Sequence, residues 1–401
     1  MIPHGYKHTE FGIIPQEWEV KRICDIGIVV TGSTPPTKDE SNYGSDYMFV
    51  TPADISDEKY ITDTERKLSN KGFSISRRMP EGSILFTCIG IIGKIAIASK
   101  ELTSNQQINA VICNDIYNEY LYYELLSRKG NIKSLAGEQV LPMIKKSDFE
   151  KIKIPVPPVE EQRKIAEILG VWDKAIELQA RRVDKLELRK RALMQRLLTG
   201  RLRLPGFSDP WQKVPINSFA KEISIKNKKN EPLVVLSCTK YNGLVSSLEY
   251  FGKQIYSNDL RTYKIVPYNH FAYATNHIEE GSIGYQNIMD RALISPMYTV
   301  FCTDTKIVND TFLFMLLKTH HLIYLYCSRM EGSIDRRGGL RWESFSSIKI
   351  NIPSLAEQTA IADVLSTADK EIEIAKAKLT AYRTQKRGLM QQLLTGKKRV
   401  K

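Results

Sequence analysis

The sequence predicts an α+β fold of four parts. Two globular blocks of mixed, mostly antiparallel β-structure with helices are separated by two long repeated helices, which form an intramolecular antiparallel coiled coil in a pseudo-twofold circular arrangement. Three observations lead there. The segment KRALMQRLLTG (190–200) returns as KRGLMQQLLTG (386–396), with nine of eleven positions identical. The match extends upstream without a gap at a constant offset of 196 residues, from IKIPVPPVEEQRKIAEIL (152–169) against IKINIPSLAEQTAIADVL (348–365). Each repeat carries a sustained heptad pattern of apolar residues. A 401-residue chain has length for roughly two to four units of ordinary domain size.

The first block, 1–151, opens on IPQEWEVKRI around Trp18 and holds short β-rich runs such as ILFTCIGIIGKIAIAS between Gly, Pro and Asn turns. EYLYYELLSRKG (119–130) reads as a local helix. The first spacer, 152–200, passes its prolines at Pro157–Pro158 and then repeats Ile165, Leu169, Trp172, Ile176, Gln179, Val183, Leu186, Lys190, Leu193, Leu197 in alternating steps of four and three. Thr-Gly ends it, a common helix stop. At 1.5 Å per residue a helix of about 40 residues is on the order of 60 Å long. The second block, 201–347, opens on FSDPWQKVPI around Trp211, contains PLVVLSCTKYNG, YKIVPYNHFAYATN and SPMYTVFC, and reads as helical over TFLFMLLKTHHLIYLYCS (311–328). The second spacer with its tail, 348–401, repeats the seam as Ile361, Leu365, Ala368, Ile372, Ala375, Leu379, Tyr382, Lys386, Leu389, Leu393.

Loops tolerate insertions and packed helices do not, so an ungapped duplicate implies a helix with a defined partner. If the second helix lies along the first, it runs back toward the first block, and the pair is antiparallel. Lys190 and Lys386 interrupt both seams at the same place. Two roles fit them equally: register-setting polar seam residues, or lysines snorkelling at the seam edge.

Lys and Arg number 58 against 45 Asp and Glu, a net charge of +13. That excess points to a polyanionic partner, most often nucleic acid. The six cysteines are scattered without CxxC spacing, as reduced thiols of a cytoplasmic protein would be. MIPHGYKHTE has no apolar signal-type stretch, and no run approaches the roughly 18 apolar residues of a spanning helix. The expectation is an unanchored cytoplasmic chain.

Asn, Gln, Arg and Lys can make bidentate contacts to base edges, and Ser, Thr and Lys position phosphates. The DNA-contact candidates in the first block are Thr31, Ser33, Thr34, Lys38, Asn105, Gln106, Gln107, Lys145 and Lys146. In the second block they are Thr239, Lys240, Tyr241, Asn242, Asn276, His277, Arg336, Arg337 and Arg341. For each, the competing role is a solvated loop or a turn cap, and Asn105-Gln106-Gln107 fits a tight turn equally well.

Residues that would carry a reaction are not found. Neither TPPT (34–37) nor VPPV (156–159) matches a methyltransferase Pro-Pro-aromatic motif. GIIGK (90–94) is too short for a phosphate loop, has Ile95 where Ser or Thr would meet magnesium, and reads as a buried strand with glycine bulges. The acidic residues of PADISDEK lie too close for a nuclease site, and the histidines have no metal-ligand spacing with the cysteines. No catalytic, metal or cofactor site is expected on this chain.

YKHTEFGIIPQEW, IPVPPVEEQRKIAEIL and the LLTG ending, together with the duplicated layout, resemble the specificity (S, HsdS) subunit of type I restriction–modification systems over essentially the whole chain. GSTP, FVTPADIS, ILFTCIGIIGKIAI and SNQQINAV resemble one class of recognition domain. LSCTKYNGLV, EYFGKQI, DLRTYKIV, GSIGY and SPMYTVF resemble another, with Asn276 and His277 in place of a common arginine. The resemblance implies a non-catalytic chain whose two target-recognition domains each read half of a bipartite, asymmetric double-stranded DNA sequence. It implies that the helices dock two modification (M) subunits carrying S-adenosylmethionine for adenine methylation, and that restriction (R) subunits add Mg-ATP-driven translocation and cleavage. Two other readings compete: an enzyme acting on nucleic acid itself, and a coiled-coil scaffold with no DNA role.

Overall fold

The computed structural model describes residues 2–136, 141–330 and 339–400. The helices used below are α1 (Asn118–Lys133), α2 (Val159–Leu197), α3 (Asp310–Leu317), α4 (His320–Arg329) and α5 (Leu355–Leu393). The chain forms two compact units. One comprises Met1–Ala180 with Ala377–Lys401, and the other Arg181–Lys376. The first unit is therefore completed by the C-terminal segment, whereas the second is one continuous stretch that begins within the first long helix and ends within the second.

In the first unit, β1 (Tyr6–Thr9) and β2 (Gly12–Pro15) form a hairpin. Two five-stranded mixed sheets follow. The first runs Gly27–Thr31, Ile108–Cys113, Ile84–Thr87, Ile95–Ala98, Tyr60–Ile61, and only its last pairing is parallel. The second runs Tyr43–Gly44, Lys67–Leu68, Tyr47–Val50, Leu102–Ser104, Arg78–Met79. GIIGK is the turn joining Ile84–Thr87 to Ile95–Ala98, and not the buried strand its apolar residues suggest. Gly90 and Gly93 take φ +72° and +93°, a conformation that L side chains rarely adopt, and the reversal leaves Ile91 58% exposed.

The core between the first sheet and α1 includes Phe86, Val111, Leu121 and Leu125, and it continues into Ile165, Leu169, Met390 and Leu393 of the long helices. Glu124 lies fully inside this core, beside Arg128. Burial outweighs the arginine and pushes its carboxyl up to about 7. Because the folded pKa is raised above the unfolded value, the stability tied to its protonated form is complete below about pH 4.5 and fades as pH rises through about 7. Glu124→Gln is expected to remove a loss of a few kcal/mol between pH 5 and pH 8, read as the difference between variant and parent in denaturant unfolding at the two pH values. Equal pH slopes would contradict that assignment.

The second unit is built on an antiparallel sheet in the order Ala220–Ile223, Tyr298–Thr303, His270–Ala274, Ile283–Gln286. Phe271, Phe301 and Tyr273 pack from it against α3, α4 and Phe345. The helix expected over 311–328 is broken into α3 and α4 at Lys318–Thr319. Lys318 is drawn aside to donate to the backbone carbonyls of Thr239 (3.4 Å) and Lys240 (2.8 Å). Tyr326 Oη then seals the end of α3 by donating to Leu317 O at 2.9 Å.

Both long helices are framed alike. Lys153–Val156 pairs antiparallel with Glu19–Arg22, and Lys349–Ile352 pairs with Gln212–Pro215. Each helix then starts just past a proline-bearing entry, Pro157–Pro158 or Pro353–Ser354, and finishes before a glycine at φ +68°, Gly200 or Gly396.

Candidate nucleic-acid interface

The helix contacts are antiparallel within each unit. In the first, Glu161 meets Arg399, Trp172 meets Tyr382 edge-on at 5.7 Å, and Asp173 meets Lys386. In the second, Glu187 meets Lys376, Lys190 meets Asp369, and Arg203 meets Glu357. From Glu161 to Asp173 the partner moves back from Arg399 to Lys386, and from Glu187 to Arg203 it moves back from Lys376 to Glu357.

Four of these contacts are duplicates. Asp173 and Asp369, Lys190 and Lys386, Glu161 and Glu357, and Arg203 and Arg399 each stand 196 apart. Each of the two lysines pairs across the helices with an aspartate, Lys190 with Asp369 and Lys386 with Asp173. The arginines fork onto their glutamates with two bonds each, at 2.8 and 2.9 Å for Arg399 and 2.6 and 2.8 Å for Arg203. Gln162 and Gln358 repeat as well, accepting the backbone N–H of Tyr117 (2.8 Å) and Asn309 (2.9 Å) ahead of α1 and α3. These pairs tie each helix frame to its globular part.

The apolar seam residues lie along the same lines. Ile165, Leu169, Val183, Leu197, Ile361, Leu365, Ile372 and Leu393 are buried. Trp172, Ile176, Leu186, Leu193, Leu379, Tyr382 and Leu389 are half-buried.

In the first unit the structure draws most candidates into one loop cluster. Gly32 N–H donates to Ile108 O (3.0 Å) and Ser33 N–H to Ser104 O (2.9 Å), so Thr31–Thr34 lies against Asn105–Gln107. Thr34 Oγ1 donates to Gln106 Oε1 at 2.6 Å. Asn105 accepts the Gln107 N–H through Oδ1 and donates to its Oε1 at 2.8 Å, the tight-turn role, while Gln106 stays exposed. Thr31 Oγ1 donates to Asn109 at 2.7 Å. Gly90 N–H to Pro142 O (3.0 Å) and Ile144 N–H to Cys88 O (2.9 Å) bring in the turn at Ile91 and the segment leading to Lys145 and Lys146. Lys145 and Lys146 are exposed, the latter 3.5 Å from Glu150. Lys38 is exposed.

Sequence reasoning missed three members of this cluster. Arg77 donates its backbone N–H to Ser33 Oγ (3.0 Å) and its guanidinium to Thr31 O (3.0 Å). Ile91 and Leu141 are 58% and 59% exposed there. An alternation of polar and charged residues gives no signal for an apolar loop tip. A Cβ on Gly32 would lie 2.2 Å from Asn105 O and 2.4 Å from Ser104 O, both backbone. Gly32→Ala is therefore expected to cost at least ~2 kcal/mol and to splay the cluster, read by thermal unfolding. An unchanged midpoint would contradict the packing.

In the second unit, Lys240, Tyr241 and Asn242 form the tip of the hairpin Leu236–Thr239/Gly243–Ser246, with Tyr241 81% exposed. Thr239 Oγ1 accepts the Asn242 N–H at 3.0 Å and fixes the turn. Leu340 N–H donates to Thr275 O at 2.8 Å, placing Arg341 near Asn276 and His277. Arg341 is exposed and stands at the N-cap position of a short helix, Trp342–Ser346. Arg336 and Arg337 lie outside the described residues. His277 shares its turn with Glu279 and Glu280, all three ligand atoms lying within 4.8 Å of one another. Those carboxylates oppose a phosphate at that point. Burial pushes the Cys88, Cys113 and Cys238 thiols up to about 12, so none of the three is a poised nucleophile. Among the described residues no helix is long and apolar enough to cross a membrane.

The sequence profile of the Type I restriction modification DNA specificity domain matches twice, at residues 15–188 and 210–381. The chain belongs to this family of type I specificity subunits. The specificity subunit of the MjaVIII enzyme of Methanocaldococcus jannaschii is 25% identical over 439 aligned positions, covering 100% of this chain and 99% of that one. The MjaIX specificity subunit of the same organism is 38% identical over 189 residues, 45% of this chain and 44% of its own length. The crystal structure of the type I S subunit from M. genitalium superposes with a TM-score of 0.56 at 14% identity, covering 94% of this chain and 96% of that chain, a likeness of fold. The two recognition folds joined by repeated helices are thus the architecture of a specificity subunit.

Proposed function

We propose that this specificity subunit binds a bipartite, asymmetric double-stranded DNA target, one half per recognition domain, and directs adenine methylation or restriction to it. The observation that carries the reading is one helix frame repeated without a gap at an offset of 196 around two unlike sets of sheets. A common frame serves a common partner, and unlike loops serve unlike targets. The recognition domains occupy about 1–151 and 201–347, with spacers at 152–200 and 348–401. In the first, Ser33, Thr34, Lys38, Gln106, Lys145 and Lys146 face the DNA, with Thr31, Asn105 and Gln107 shaping the loop. Ile91 and Leu141 add apolar contacts of the kind that thymine methyl groups accept. In the second, Lys240, Tyr241, Asn242, Asn276 and Arg341 do so, and Arg336 and Arg337, outside the described residues, remain contact candidates by their chemistry. His277 makes the weakest contribution because of its acidic neighbours.

The long helices dock two modification subunits, which carry S-adenosylmethionine. Restriction subunits, where present, carry Mg-ATP. This chain supplies the address in the cytoplasm and performs no chemistry. A flipped adenine leaves the duplex stack for the modification subunit's pocket. The test is co-expression with a modification subunit in a host free of methylation, followed by a genome-wide map of N6-methyladenine. One split motif with a fixed gap is expected. An associated, soluble complex that yields no motif overturns the reading in favour of a scaffold. Methylation or cleavage by the purified chain alone would make it an enzyme.

A further inference from the structure

The two units differ at one equivalent place. In the first, the β1–β2 hairpin lies across the end of the helix frame. Tyr6 Oη donates to Gly396 O at 3.3 Å, Glu10 pairs with Lys153 at 2.9 Å, and the Arg128 guanidinium sits 4.3 Å over the Phe11 ring, which packs against the core. The offset of 196 maps Gly396 to Gly200 and Lys153 to Lys349. The duplicated glutamines align α1 with α3. Counting seven residues on from Tyr117 and Asn309 puts Leu316 where the first unit has Glu124.

At that place the second unit has an open groove of 730 Å3. Its floor is apolar, with Leu198, Leu316, Leu322, Leu325 and Ile348. Its lining also carries Arg201, Lys213, His321, Arg329 and Lys349, and no Asp or Glu among the described residues. Trp211 forms part of the wall, and its buried indole N–H has no acceptor among the described residues. Its counterpart Trp18 donates to Glu161 at 2.9 Å. An apolar floor within a cationic rim, with a spare donor, suits a segment that presents a carboxylate beside an aromatic ring. The first unit supplies such a segment from its own chain, Glu10–Phe11 at the turn of the hairpin.

We propose that this groove of the second unit is a docking site for an acidic–aromatic hairpin segment of a partner protein. The partner's carboxylate meets Lys349 and its ring seats on Leu316 and Leu322. The apolar floor argues against DNA, whose backbone offers charge but no side chain to bury there. This inference goes beyond the DNA-reading role and does not depend on it.

The probe is a fluorophore-labelled peptide of residues 3–16, PHGYKHTEFGIIPQ, cyclised because an isolated hairpin is marginally stable in water. It is titrated against the full chain. Saturable binding is expected. Lys213→Glu with Lys349→Glu, both at exposed positions, should weaken it at least tenfold without moving the unfolding midpoint. The same substitution at Lys153, in the first unit, should leave it unchanged. A peptide carrying Glu10→Lys and Phe11→Ala should bind at least tenfold more weakly. Absence of saturable binding, or binding indifferent to the groove substitutions, overturns the proposal. So does displacement by double-stranded DNA whose own affinity falls with Lys213→Glu and Lys349→Glu, which would make the groove a phosphate surface.

Discussion

Trp18→Ala is expected to destabilise the first unit by about 3–5 kcal/mol, the range for deleting a large buried aromatic. Trp18 is fully buried, its indole N–H donates to Glu161 at 2.9 Å, and it lies against the tail around Gly396. The loss would add a cavity to a carboxylate stripped of one of its donors. Chemical unfolding should show an early transition belonging to this unit, with the later transition unchanged. Trp211→Ala should cost less, because Trp211 is only part-buried and its N–H has no partner among the described residues. Equal losses at the two tryptophans would contradict the difference drawn between the units.

Charge reversal in the helix seam has the next largest expected effect. Lys386→Asp would set two carboxylates together where the lysine side chain is 12% exposed and Asp173 is 34% exposed. Breaking a fully buried pair costs about 3–5 kcal/mol, and partial exposure reduces this to about 2–3. Combining it with Asp173→Lys should recover most of the loss, so that the double-mutant cycle shows strong coupling. Additive losses would mean that the lysine acts by packing alone. The equivalent cycle at Lys190 and Asp369 should give the same sign, since the geometry is duplicated.

The helix frame was legible because duplication writes the same constraint twice. The offset of 196 exposed the seam, the glycine stops and both lysines. It did not reveal what the lysines meet, because an antiparallel partner pairs position 190 with 369, which no fixed offset between the repeats displays. Arg203 and Arg399 went unnoticed although they also stand 196 apart, for they follow the Thr-Gly stop where a tail is expected to be loose. Inside the blocks, local pattern misled twice. Ile91 and Ile92 read as strand interior, yet two left-handed glycines make a turn of them. The apolar run over 311–328 read as one helix, yet a hairpin at Thr239–Lys240 draws Lys318 away and the helix restarts. Both are tertiary effects, invisible to periodicity. Side-chain chemistry alone marks the loop candidates in the sequence. In the folded chain several of them, notably Thr31, Asn105 and Thr239, form hydrogen bonds within or beside their own loops.

The most direct test of the two-reader account is an exchange of one block. Residues 1–151 are replaced by the corresponding block of another specificity subunit, and the methylation motif of the complex is mapped again by single-molecule sequencing. The account predicts that one half of the split motif changes while the other half and the gap between them are retained. A change in both halves, or a motif that stays the same, would contradict it.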